Sequence, residues 1–293
     1  MTPAPGIPPD DLPPALRDLH DAARHVVMDH AGAQVHWRMW GDRGPLIVLV
    51  HGGFGSWLHW AGNIRALSAR HRLLVCDIPG YGGTPVPPGA ASMADIAAPI
   101  AATLRRMIGD TPHLICGFSF GAMLSGFIAP QTGAEGVVLL GAPNCGPGPA
   151  HLPGMQSWRG LPPADRPAAH ANNLRVLMLH GTDSLDDTAI RIQTLCAESA
   201  IGKYRDLARA DLADAALAGC TCWIHAVWGA EDALVRDNLG DRRRFIAGLG
   251  PQAAIEIWPA LGHWLPWEDP GRVNALLSTL AARAEAAARA RIG

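Results

Sequence analysis

The chain has 293 residues, 48% of them hydrophobic, and a formal net charge of −2 at pH 7. That suffices for one large domain with an inserted subdomain, while the lack of any basic run beyond Arg242-Arg243-Arg244, read as a solvated helix face, argues against nucleic-acid or anionic-membrane binding. Six scattered cysteines make no disulfide framework, no apolar stretch reaches the ~18 residues of a membrane span, and the Pro-rich start lacks the regions of a signal peptide, so a reducing, cytoplasmic setting is expected.

Residues 1–14 read as a loosely held, Pro-rich segment. Residues 12–23 follow as a short helix, so that 1–23 forms an N-terminal extension. Two alternating runs, 24–29 and 34–40, flank His30-Ala31-Gly32-Ala33 and predict a β-hairpin. The run 46–50 is wholly apolar, as for a strand covered on both faces, and leads into His51-Gly52-Gly53-Phe54-Gly55. A helix near 59–69, a strand at 72–76 ending in Asp77-Ile78-Pro79-Gly80-Tyr81-Gly82, and a helix at 94–108 come next. A strand at 113–116, a sharp turn, a helix to about 129 and a strand at 137–140 complete the first half.

The alternation breaks at 145–218, which reads as an inserted, mainly helical lid: Pro- and Gly-rich at first, apolar at 175–179, helical over 186–218. It resumes with strands at 222–228 and 254–258 around a helix near 238–249, and an Ala- and Arg-rich helix at 270–290 closes the chain. Strands alternating with helices predict an α/β fold with a mostly parallel central sheet flanked by helices, the core being 24–144 and 219–293. Sites in such sheets lie at the carboxyl ends of the strands.

The chemistry centres on Gly117-Phe118-Ser119-Phe120-Gly121, a G-x-S-x-G pattern between an apolar strand and an apolar helix. Such a turn strains the serine backbone and presents its hydroxyl at the sheet edge beside a helix N-terminus. A serine hydroxyl needs a base, and the base an orienting carboxylate. His263, after a strand and a glycine, is the candidate base. Asp232 and Asp183 are the candidate acids, each apparently closing a strand. Asp232 is preferred because one α/β step separates it from His263, whereas Asp183 precedes the helical part of the insert. For the oxyanion, the N–H groups of Phe120 and Gly53 are the expected donors, with Phe54 as the alternative to Gly53. His51 is expected to brace that loop rather than to move protons.

Five ordered motifs are similar to those of the α/β-hydrolase family, in its lid-bearing serine esterase and C–C hydrolase branch. They are His51-Gly52-Gly53-Phe54-Gly55-Ser56, Asp77-Ile78-Pro79-Gly80-Tyr81-Gly82, Gly117-Phe118-Ser119-Phe120-Gly121, Trp228-Gly229-Ala230-Glu231-Asp232 and Gly262-His263-Trp264. The resemblance covers roughly residues 24–145 and 219–285 and implies a serine hydrolase. The segment around His263 also resembles that of hydrolases cutting carbon–carbon bonds in meta-cleavage products. Those enzymes usually carry Asn where this chain has Phe118, and Gly-Pro-Gly where it has Phe54-Gly55-Ser56. Ester hydrolysis is therefore the expected reaction, C–C hydrolysis the alternative, and a non-catalytic binding protein the competing class. The resemblance to dehalogenases and epoxide hydrolases ends at Ser119, where those enzymes need Asp.

Ten tryptophans against two tyrosines suggest an apolar acyl substrate of modest size. Phe54, Trp57, Phe118, Trp158 and Trp264 are the candidate substrate-binding residues, with core packing the competing role for rings beside an elbow. Arg159, Arg166 and Arg175 could bind a carboxylate but read more simply as solvated surface. Cys220-Thr221-Cys222 has neither redox nor zinc spacing. No metal or cofactor is expected, and the only partner expected beyond a small-molecule substrate is a second copy in a homodimer, a monomer being equally allowed.

Overall fold

The computed structural model describes residues 7–146, 148–204, 207 and 212–292. Its sheet has eight strands: β1 Arg24–His30, β2 Ala33–Trp40, β3 Leu46–Val50, β4 Arg72–Asp77, β5 His113–Phe118, β6 Gly136–Leu140, β7 Trp223–Gly229 and β8 Ala253–Trp258. Their order is β1-β2-β4-β3-β5-β6-β7-β8. β2 is antiparallel to both neighbours, and every other pair is parallel. The apolar runs anticipated from the sequence outside 145–218 lie in these strands, and the β1–β2 hairpin turns through Ala31 and Gly32, both at positive φ.

Central strands are apolar throughout because each face meets its own layer. Val48, Val50, Ile115 and Leu139 point into one cluster with α3 (Met93–Ile108) and α4 (Phe120–Thr132). Ile47, Leu49, Leu114, Cys116 and Val138 point to the other side. There α2 (Ala61–Ser68) and the terminal helix (Pro270–Ile292) pack, the latter through Val273, Leu277, Leu280, Ala281 and Ala284 at helical spacing. The chain start belongs to this second layer. Residues 1–6 lie outside the described structure, but from Ile7 onward the segment expected to be loose is packed. Ile7 and Leu12 are buried beside Leu16 and Leu19 of α1 (Pro14–Asp21), and Arg191 donates to the Asp11 carbonyl.

Between β6 and β7, over the stretch expected as an insert, lie α5 (Arg166–Asn173), α6 (Asp187–Ser199) and α7 (Leu212–Ala218). The apolar run expected as a strand at 175–179 is instead a π-helical turn, Leu174–Met178, closed by Leu179 N–H to Leu174 C=O at 2.9 Å. It buries Leu174 and Met178, four residues apart, a helical spacing that an apolar run alone does not distinguish from a strand. The helix expected over 186–218 is interrupted: Ile201 and Gly202 N–H groups both bond the Gly80 carbonyl, and Tyr204 hydroxyl bonds that of Pro79. α7 then packs Leu217 against Gly126 of α4. Two helices of the core, α8 (Leu239–Gly248) and α9 (Leu265–Glu268), precede the terminal α10 (Pro270–Ile292). Among the described residues no helix is long and apolar enough to cross a membrane.

Candidate active site

β5 ends at Phe118 and α4 begins at Phe120, so Ser119 alone makes the turn. Its φ of 53° and ψ of −117° lie where an L-residue is strained by about 1–3 kcal/mol. The flanking glycines are required by space. A Cβ on Gly117 would lie 2.3 Å from the Gly121 carbonyl oxygen, and one on Gly121 equally close to the His51 carbonyl. The elbow is held by Ser119 N–H donating to Leu140 C=O at 2.8 Å, and its side chain keeps partial solvent access.

Ser119 Oγ lies 2.8 Å from His263 Nε2, and His263 Nδ1 lies 2.8 Å from Asp232 Oδ2. Asp232, fully buried, follows β7, and its Oδ1 accepts Leu234 N–H at 3.0 Å. The acid and base turns lie against one another: a Cβ on Gly229 would come within 2.1 Å of the Leu261 carbonyl. Phe118 supports the imidazole from behind, with ring centroids 5.1 Å apart. The alternative acid, Asp183, is exposed in the turn Thr182–Ser184, and the carboxylate bonded to His263 is that of Asp232.

The base turn has a support that sequence reasoning missed. Glu268 Oε1 accepts the N–H groups of His180 and Gly181 at 2.7 and 2.9 Å, and its Oε2 accepts Gly262 N–H at 2.7 Å. Trp264 N–H bonds Met178 C=O at 2.8 Å, and Trp267 Nε1–H bonds Ser184 C=O at 2.9 Å. The insert's 178–184 stretch is thus laced to the residues on either side of His263.

The loop after β3 is fixed by buried groups. His51 Nε2 accepts Ile78 N–H at 2.9 Å, so its proton sits on Nδ1, which donates to Gly52 C=O at 2.7 Å. Gly55 N–H donates to the same carbonyl at 3.2 Å. In a trans peptide the N–H points opposite to the C=O, so these donors also fix the direction of Gly53 N–H. Gly53 lies beside Phe120: a Cβ on it would meet that of Phe120 at 3.6 Å. Phe54 has φ of 54°, uncommon for a bulky residue. Phe120 opens α4, so its N–H has no acceptor within the helix. Below the loop, Asp77 accepts Trp57 N–H and pairs with buried Arg38.

Of the five rings nominated for substrate contact, three are enclosed: Trp57, Phe118 and Trp264 have at most 1% exposure and pack in the lower layer. Phe54 is half-buried and faces Tyr81 at 5.6 Å. Trp158 is half-buried in the insert against His170, with Arg159 and Arg166 over its face. Phe120, the residue after Ser119, packs against Tyr81 at 6.2 Å and stacks on Tyr204 at 5.8 Å. Tyr204 had no signal in the sequence, because it sits in the irregular part of the insert. Arg166 pairs with Glu198. Arg175 lines a cavity of about 330 Å³ with Leu177, His180, Glu231, Arg236 and Gly262, which touches the acid and base turns but does not include Ser119. Among the described residues no cluster of metal-ligating side chains occurs.

Burial lowers the His51 pKa from 6.5 to about 4. Between those values the unfolded chain binds a proton that the folded chain does not. Stability therefore falls on acidification, by about 1.4 kcal/mol per pH unit for one such group. Urea unfolding at pH 7 and pH 5 should differ by on the order of 2 kcal/mol more in the wild type than in His51→Gln. An equal fall in both proteins would show that His51 is not held neutral by the fold.

Comparison with known proteins gives the family of the chain. The model of the alpha/beta hydrolase family matches residues 47–276. The chain is 24% identical over 274 residues to a 2-hydroxy-6-oxononadienedioate/2-hydroxy-6-oxononatrienedioate hydrolase of Burkholderia vietnamiensis, covering 86% of this chain and 92% of that one. It is 27% identical over 173 residues to the pimeloyl-(acyl-carrier protein) methyl ester esterase of Vibrio campbellii, a match spanning 57% of this chain and 58% of the esterase's length. The carboxylesterase CesB of Bacillus subtilis shares the fold, with a TM-score of 0.67 at 18% identity over 88% of this chain and 90% of that one. With the family matched across most of its length, this chain belongs to the alpha/beta hydrolases.

Proposed function

We propose that the protein is a carboxylic ester hydrolase acting through an acyl-enzyme on a small, largely apolar acyl substrate, a lactone or thioester being the same chemistry. The observation that carries this is the unbroken chain of 2.8 Å contacts from Ser119 Oγ through His263 to Asp232, with the serine on a strained and accessible turn. His263 takes the serine proton as Oγ attacks the carbonyl, and Asp232 holds the imidazole in the tautomer whose Nε2 is free to accept. The N–H groups of Gly53 and Phe120 receive the oxyanion, Gly53 being preferred to Phe54 because it lies beside Phe120. The leaving alcohol takes the proton from His263, and water activated by the same imidazole releases the acid.

The apolar acyl preference rests on the packed rings of Phe54, Tyr81, Phe120 and Tyr204, the Tyr204 hydroxyl being bonded to the Pro79 carbonyl. All six cysteines are free thiols, in keeping with a reducing compartment such as the cytoplasm. A fluorophosphonate should label the wild type and leave Ser119→Ala unlabelled. A wild type that stays unlabelled and inert towards every short-chain aryl ester would instead favour the non-catalytic binding protein.

C–C hydrolysis of a meta-cleavage product is the second reading, favoured by the relative matched over 92% of its length. Turnover of a dienol substrate against p-nitrophenyl esters separates the two, and a preference for the dienol would reverse the ranking.

A further inference from the structure

We infer that His59 is a positioning residue that holds the oxyanion loop in register with the His263 turn. The inference rests on the acyl-transfer reading above. His59 lies in the turn Trp57–Trp60 and is 2% exposed. Its Nδ1 accepts Gly52 N–H at 3.2 Å, and its carbonyl accepts Trp264 Nε1–H at 3.1 Å. Its ring lies 5.5 Å from that of Phe118 and 5.3 Å from that of Trp264. One side chain thereby touches the oxyanion loop, the residue before the nucleophile and the residue after the base.

A histidine here is expensive. Its Nε2 has no hydrogen-bond partner among the described residues, and a buried unsatisfied polar group costs about 1–3 kcal/mol. A leucine would fill the same apolar space between Phe118 and Trp264 without that penalty. What histidine adds is the acceptor at Nδ1. Because Nδ1 accepts, the ring is neutral and carries its proton on Nε2. Burial, aided by repulsion from His51 and His263, keeps it so by lowering its pKa well below 6.5.

The acceptor matters because Gly52 has no side chain to limit its φ and ψ. Its carbonyl-side peptide is held by His51 and Gly55, and its amide-side peptide by His59. The carbonyl bonds set the direction of Gly53 N–H, and the His59 bond sets the position of the Gly52 unit that carries it. Without His59 that unit loses a side-chain anchor, and an oxyanion donor displaced by even 1 Å loses much of its effect.

Three variants distinguish this from plain packing. His59→Asn places an acceptor where Nδ1 sits, His59→Gln carries its amide one bond further to the Nε2 position, and His59→Leu supplies only volume. With p-nitrophenyl butyrate, His59→Asn should stay within about 3-fold of wild-type kcat, while the Gln and Leu variants should lose about 10- to 100-fold with KM nearly unchanged. Affinity for a trifluoromethyl ketone, whose hemiketal oxyanion fills the same hole, should fall by the same factor as kcat. Equal losses in all three variants, or a lost kcat with unchanged ketone affinity, would overturn the assignment.

Two NMR readouts do not depend on activity. Gly52 amide exchange should quicken in the Leu and Gln variants but not in the Asn variant. In the wild type the His59 nitrogen shifts should report the Nε2–H tautomer, and the Nδ1–H tautomer would sink the idea even if no variant folded. A wild type inert to esters would defeat the acyl-transfer reading alone, leaving the exchange data to decide whether His59 holds the loop.

Discussion

His263→Ala should lower kcat towards an aryl ester by roughly a million-fold, with little change in KM. The effect is this large because neither other histidine of the loop after β3, among the described residues, can serve as a second base. His51 uses both ring nitrogens, one accepting Ile78 N–H and the other donating to Gly52 C=O. His59 has its only lone-pair nitrogen engaged by Gly52 N–H. Neither can accept the Ser119 proton without breaking the loop proposed to bind the oxyanion. Activity remaining in the variant should come from that loop and from substrate positioning. A loss of less than about 100-fold would mean that another group deprotonates Ser119.

Asp232→Asn should cost about 10⁴-fold in kcat, while Asp183→Asn should leave kcat within about 2-fold. The asymmetry follows from tautomer control. In the variant, Oδ1 can keep its bond from Leu234 N–H, which turns the amide NH₂ towards His263 Nδ1. Two donors cannot face each other, so the ring places its proton on Nε2, the atom needed to accept from Ser119. Asp183 is exposed and touches no part of this chain of contacts. Kinetics of the two variants on one ester check the assignment, and a large loss for Asp183→Asn with a small one for Asp232→Asn would reverse it.

Much of the frame was legible in the chain. Apolar runs such as 46–50 and 113–116 mark strands because both of their faces are covered, and the elbow glycines mark a turn because no Cβ fits there. The order of Ser119, Asp232 and His263 along the chain also maps onto the ends of β5, β7 and β8 at one edge of the sheet. Illegible features were those set by which way a side chain faces. Trp57, Phe118 and Trp264 stand in the motif loops yet point into the lower layer. The π-helical turn at Leu174–Met178 has the composition of a strand. Glu268 acts on the N–H groups of His180 and Gly181 far back in the sequence, and His59 on that of Gly52 through an irregular loop, so no helix or strand spacing announces either.

The three N–H groups gathered by Glu268 bear on how this scaffold can be re-engineered. Inserts in such folds are attractive units to exchange when a new substrate range is wanted. Here the graft boundary cannot be drawn at the sequence limits of the insert. Replacing the stretch around Met178, His180 and Gly181 would leave a carboxylate facing Gly262 with two of its donors gone, and Trp264 N–H without its acceptor. A chimera that retains residues 174–184 with the parent core keeps that support for the base turn, and one that exchanges them must rebuild it.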